Sequence, residues 1–156
     1  MKKIAWVVFG TIMILGSFIY FYTIMPFEAS KIYDGFVYSP DGKVAEEAQI
    51  SIHGQVDRNL FEDNIFVGTI KVSDFITYDF KMTKSKSDDY YHGVVLSKES
   101  NYTEIVGRVS TSKDFELIQA KFDQLDEKYS TDTLLVGPAS SLEEGLKISE
   151  QFTGKE

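Results

Sequence analysis

Hydrophobic and polar positions divide this chain into three textures, and each predicts a different element. The first is an uncharged run from Ile4 to Phe27, preceded by Met1, Lys2 and Lys3. As a helix rising ~1.5 Å per residue it reaches about 36 Å, enough to cross a ~30 Å hydrocarbon core. Trp6 near one end and Tyr20 and Tyr22 near the other sit where amphipathic rings settle at membrane interfaces. The run is too long for a secretory signal, and cleavage after Ala29 would place bulky Phe27 where a small side chain is needed. The expectation is an uncleaved single-span anchor over 1–27, tied by Pro26–Ser30 to a domain over 28–156. Lys2, Lys3 and the amino terminus put the N-terminus in the cytoplasm and the domain outside the cell membrane. Gly10 and Gly16 lack the G-x-x-x-G spacing that packs spans together.

The second texture, Ser30 to Ser110, is rich in Tyr, Phe, Val, Ile and Thr and is broken by turn clusters every ten residues or so, as a series of antiparallel strands is. Ile32–Tyr38 forms the first strand and Pro40-Asp41-Gly42 turns it. Ala48, Ile50, Ile52, Gly54 and Val56 then alternate with Gln49, Ser51, His53 and Gln55, one face apolar and the other wet. Ile65–Val72 follows, with either Phe66, Gly68, Ile70 and Val72 or Ile65 and Val67 facing inward. Ser73-Asp74 joins it to Ile76, Tyr78, Phe80 and Met82 as a hairpin. Gly93–Ser97 and Tyr102–Ser110 make another across Lys98-Glu99-Ser100-Asn101.

The third texture begins at Ser112, a candidate N-cap. Phe115, Ile118, Phe122, Leu125 and Tyr129 recur at steps of three and four, which predicts an amphipathic helix. Thr133–Val136 reads as a returning strand stopped by Gly137-Pro138-Ala139. Ser140 and Ser141 precede Glu143 and Glu144 at capping-box spacing, and Leu142, Leu146 and Ile148 or Phe152 give a second helix its stripe. The expected fold class is therefore α+β: a transmembrane helix, a mostly antiparallel sheet of about six strands, and two C-terminal amphipathic helices packed on it.

Composition narrows the function. All 24 acids but only 14 of the 16 bases fall after Phe27, so the domain is strongly acidic and repels nucleic acid. Without cysteine there is no disulfide and no thiolate nucleophile, and no G-x-S-x-G occurs. The two histidines, His53 and His92, would need carboxylates to complete a metal site. Asp88, Asp89 and His92 match neither a calcium loop nor a zinc motif, so no metal or cofactor is expected. Glu46, Glu47, Asp57, Glu62 and Asp63 are the acids from which a paired-carboxylate hydrolase would draw. Asn101-Tyr102-Thr103 matches a glycosylation sequon. The least bland segment is Asp57–Asn64, where Arg58, Asn59, Leu60 and Phe61 put a cation and two bulky apolar residues on a loop that either grips a partner or, in the structural reading that has precedence, plugs the end of the sheet with Leu60 and Phe61 while Arg58 pairs with a neighbouring acid.

The charged start and long apolar run, Tyr33-Asp34-Gly35, Asp41-Gly42-Lys43, Arg58-Asn59-Leu60-Phe61, Phe66-Val67-Gly68, and Ser112-Lys113-Asp114-Phe115 leading to Gly137-Pro138-Ala139-Ser140 together resemble small single-pass membrane-anchored proteins of Gram-positive bacteria, of uncharacterised function. That resemblance implies a cell-envelope setting and no residue roles. The expected function is a non-enzymatic, membrane-tethered extracytoplasmic binding or accessory module with an envelope protein as partner; the alternative is an envelope hydrolase using two carboxylates.

Overall fold

The computed structural model describes residues 2–59, 61–85, 87–97 and 103–153. Helix α1 (Lys2–Ile24) leads into strands β1 (Phe27–Tyr38), β2 (Ala45–Asp57), β3 (Asn64–Val72), β4 (Ile76–Lys84), β5 (Tyr90–Ser97), β6 (Glu104–Ser112) and β7 (Ile118–Phe122). Helix α2 (Asp123–Tyr129), strand β8 (Leu134–Gly137) and helix α3 (Leu142–Thr153) complete the chain. The strands follow one another in order, each antiparallel to the next, and β8 returns to β1 to close an eight-stranded barrel. This corrects the expected α+β fold, a mostly antiparallel sheet of about six strands with two C-terminal amphipathic helices packed on it.

Strict alternation decides which residues face inward. On β2 the interior takes Ile50, Ile52 and Val56, and on β3 it takes Phe66, Ile70 and Val72, all essentially without exposure. The Phe66 alternative is thus the one adopted. Gly54 and Gly68 lie opposite each other on these strands. A Cβ on Gly68 would come within 2.1 Å of the His53 carbonyl, so only glycine permits the close approach of the two strands here. The space above is filled by rings: Phe66 packs edge-on against Phe80 at 4.8 Å and Phe115 at 5.0 Å between centroids. Phe115 and Leu125, from the β6–β7 and β7–β8 connections, are buried in the same core at opposite ends of the barrel. The interior is filled by a core of buried side chains, as eight-stranded barrels of this size allow.

The helix expected over Phe115–Tyr129 is the clearest local correction. Residues 118–122 are strand β7, and only Asp123–Tyr129 is helical. Ile118 and Phe122 are four apart, and both a helix face and a strand face repeat at that spacing. Ala120, buried between them, settles the period as two. Ser112 caps a tight turn instead of a helix, its hydroxyl accepting the N–H groups of Glu116 and Leu117 at 3.0 Å.

Helix α3 does carry the expected cap. Glu144 accepts the Ser140 N–H at 2.9 Å, and Ser141 Oγ accepts the Glu144 N–H at 3.4 Å. Its inner stripe is Gly145, Ile148 and Ser149, with Leu142 and Phe152 alongside, while Leu146 points away. These residues cover Phe36, Tyr38 and Val136 on the outer wall of β1 and β8.

The single-span anchor is also overturned. Among the described residues no helix is long and apolar enough to cross a membrane. The uncharged run is split between two elements: α1 ends at Ile24 and carries Gly10, Thr11, Gly16, Ser17 and Thr23 within it, and Phe27 already belongs to the barrel. The Pro26–Ser30 linker does not exist as such, because β1 pairs with β2 from Phe27 onward. The transmembrane and signal-anchor assignments, the membrane as a partner, and the cell-membrane location with an outward domain lose their basis with it. Residues such as Trp6, Phe9, Ile14 and Phe18 on α1 are exposed.

Candidate functional site

The strand directions gather one end of the barrel around the β2–β3 connection, the β4–β5 connection and the start of β1. The β2–β3 loop is the segment singled out from sequence, and its conformation follows from two asparagines. Asn59 Oδ1 accepts the N–H groups of Phe61 at 3.0 Å and Glu62 at 3.3 Å, an Asx turn that holds the tip. The Asn59 side-chain amide donates to Glu62 Oε2 at 3.1 Å, and its backbone N–H donates to Asn64 Oδ1 at 3.0 Å. Asn64 in turn meets the Tyr91 hydroxyl at the barrel mouth; burial pushes the Tyr91 pKa up, while Asn64 and the nearby Arg58 charge pull the other way. Arg58 lies over the Phe27 ring, 4.3 Å from its centroid, a cation–π contact that ties the loop to β1.

The product is a braced loop that, among its described residues, carries Phe61 on the outside, 90% exposed. Of the four residues singled out, Arg58, Asn59 and Phe61 share this loop, with Arg58 laid over Phe27. Leu60 lies outside the described residues.

The remaining candidates are dispersed. His53 sits on the outer face of β2 opposite Ser30 and Thr69. His92 bridges two groups, with Nδ1 2.9 Å from Ser110 Oγ and Nε2 3.4 Å from Asp88 Oδ2. This Asp–His–Ser chain was not legible in the sequence, because Ser110 reaches His92 only through the β5–β6 register. A cavity of about 520 Å³ beside it is bordered by Asp88, Asp89, Tyr90, His92 and Phe152, but Ser110 is not among its walls. Asp89 is paired with Lys113 at 3.0 Å. Among the described residues no group of three or more His, Asp or Glu side chains could hold a metal ion.

The acids considered for hydrolysis split between the two ends of β2. Glu46 and Asp57 stand eleven residues apart on one strand, or about 36 Å at ~3.3 Å per residue. Glu46 accepts the Tyr129 hydroxyl, Asp57 accepts the Gln55 amide at 2.7 Å and Glu62 is held by Asn59. The residues flanking Ser140 are taken up by the α3 cap. Asn101 and Tyr102 of the sequon, and the Lys98–Asn101 turn, lie outside the described residues.

Fold and site together define a class: a closed, core-filled antiparallel barrel that displays a braced apolar loop at one mouth. No family model, curated protein or solved structure matches this chain.

Proposed function

We propose that this protein is a non-enzymatic binding module in which the barrel is a rigid scaffold and the β2–β3 loop engages a protein partner. The observation that supports this is Phe61, almost fully exposed at the tip of a loop held by three hydrogen bonds to Asn59. A free loop would lose conformational entropy on binding, whereas a braced one has already lost it on folding. An exposed aromatic ring on such a support is the anchor type that dominates protein interfaces once it enters an apolar pocket.

A photoreactive phenylalanine analogue at position 61 of the full chain, with the same analogue at His53 on the barrel wall as comparator, tests this in cells. The expected result is one adduct of defined mass from position 61 only, lost when Asn59→Ala loosens the loop. The same adducts from both positions, or none from position 61, would overturn the reading.

A further inference from the structure

The barrel is closed by very few residues, and that leaves part of one strand without a neighbour. β1 pairs with β2 along its whole length, from Phe27 opposite Val56 to Tyr38 opposite Ala45. On its other side it pairs with β8 only at Phe36, Val37 and Tyr38. One further bond prolongs the contact, the Ala139 N–H donating to the Asp34 carbonyl at 2.9 Å, after which the chain turns into α3. Backbone groups along a strand point alternately to its two sides. Since Asp34 points toward β8, Glu28, Ser30 and Ile32 also direct their N–H and C=O groups there, and among the described residues no strand pairs with them on that side.

β7 begins at Ile118, opposite Gly137, so beyond Gly137 this flank of β1 faces the β6–β7 connection across an interval that β8 does not fill. Side chains bridge it: Tyr33 donates to the Phe115 carbonyl at 2.9 Å, and Lys31 pairs with Glu116 at 2.8 Å. At its upper end a hollow of about 510 Å³ lies between Asp34, Leu117, Ala139 and Ile148. Ile32, on the outer face, is 65% exposed.

We infer that the β1 edge from Glu28 to Ile32 accepts an extended peptide segment of a partner protein, antiparallel to β1 and in line with β8. Main-chain hydrogen bonds to a free edge supply affinity in such strand addition, and alternate side chains supply selectivity. Antiparallel register sets one peptide residue opposite Ile32, the second after it opposite Ser30 and the fourth after it opposite Glu28. The segment that fits is β-branched and apolar at the first position, small and polar at the next, and basic at the last. The hollow itself is bordered by the Asp34 and Glu144 carboxylates and by Lys147, with Glu144 already held by Ser140, so the selectivity for a basic residue rests on Glu28.

A second copy of the chain suits the edge less well. Two-fold pairing about Ser30 sets Glu28 opposite Ile32, and pairing about Lys31 sets Lys31 against Lys31 and Glu28 against Asp34. Like charges directly opposite each other oppose sheet formation. This inference stands independently of the Phe61 loop.

The test uses the full chain, ¹⁵N-labelled, titrated with the synthetic peptide acetyl-Thr-Val-Thr-Thr-Thr-Lys-amide while amide hydrogen exchange is followed by NMR. The expected result is slowed exchange at the Ser30 and Ile32 amides, at least tenfold at saturation, with the β2–β3 loop unaffected. Ser30→Pro removes one edge N–H at a position where proline faces solvent, and should abolish binding. Glu28→Lys leaves the edge backbone intact, and should reverse the preference, so that acetyl-Thr-Val-Thr-Thr-Thr-Glu-amide binds it better than the lysine peptide does. Unchanged exchange at Ser30 and Ile32, or undiminished binding to both variants, would overturn the inference. So would concentration-dependent protection of these amides without peptide, which would assign the edge to a second copy. Binding that survives Phe61→Ala is expected, and separates this result from the fate of the loop reading.

Discussion

Replacing Phe66 by alanine probes the feature on which every other reading depends, a barrel filled by rings and plugged at both ends. Phe66 has no exposed surface and stands against Phe80, Phe115 and Tyr91, at 4.8, 5.0 and 6.2 Å between centroids. Truncating a buried phenylalanine costs about 3–5 kcal/mol, depending on how far the surroundings collapse into the cavity. Here collapse is resisted, because the neighbouring positions are on hydrogen-bonded strands and Gly54 and Gly68 contribute no side chain that could move in. Each lost edge-on ring contact adds to the cost in the range of about 0.5–1.5 kcal/mol, so the upper part of that span is expected, about 4–5 kcal/mol. With a urea m-value of about 2 kcal/mol/M, the unfolding midpoint falls by about 2 M. Far-UV circular dichroism is the suitable probe, since the only tryptophan, Trp6, is 75% exposed on α1 and does not report on the core. Phe61→Ala, measured alongside, should move the midpoint by no more than about 0.5 kcal/mol. A Phe66→Ala shift below about 0.5 M, or one equal to that of Phe61→Ala, would refute the packed interior.

Thr111 is fully buried, and its hydroxyl has no hydrogen-bond partner among the described residues, so Thr111→Val should stabilise the chain by about 1 kcal/mol in the same urea titration. Tyr33 has its pKa pushed far above the ordinary tyrosine range, first by burial and then by the charges of Glu116 and Asp114. The folded state therefore favours the neutral phenol. Its contribution is complete below about pH 10 and is lost as pH rises beyond that. Tyr33→Phe should cost about 1 kcal/mol at neutral pH through the lost bond to Phe115, and should flatten the alkaline fall in thermal midpoint. Asp41 is held down to about 2 by Lys43 and Ser39, so its contribution is present above the ordinary aspartate range and is lost as pH falls toward 2. Asp41→Asn should make the melting temperature less steeply dependent on pH between about 4 and 2.

What the sequence determined by itself is the local structure wherever a single period was available. The alternation from Ala48 to Val56 could only be a strand with Ile50, Ile52 and Val56 on one face, because polar residues occupy every other place. The Ser140–Glu144 cap and the strand stopped by Gly137-Pro138 are likewise short-range chemistry. The β2–β3 loop was legible for the same reason, since Asn59 and Asn64 organise it within six residues. Where two periods share residues, as at Ile118 and Phe122, the chain alone could not choose; pairing of β7 with β6 and β8 did.

Tertiary structure alone decided the rest. Closure rests on three residue pairs between β1 and β8, which are separated by nearly a hundred positions and carry no mutual signature. The fate of the uncharged N-terminal run depended on where helix gave way to strand, and β2 sets that boundary by pairing with Phe27. The contact of His92 with Ser110 arises from strand register. The open edge of β1 is least visible of all, because an edge is defined by the absence of a neighbour. Only the order of strands around the barrel and the shortness of β8 leave Ser30 and Ile32 without a paired strand on one side among the described residues, while local sequence sets no more than the faces their side chains occupy.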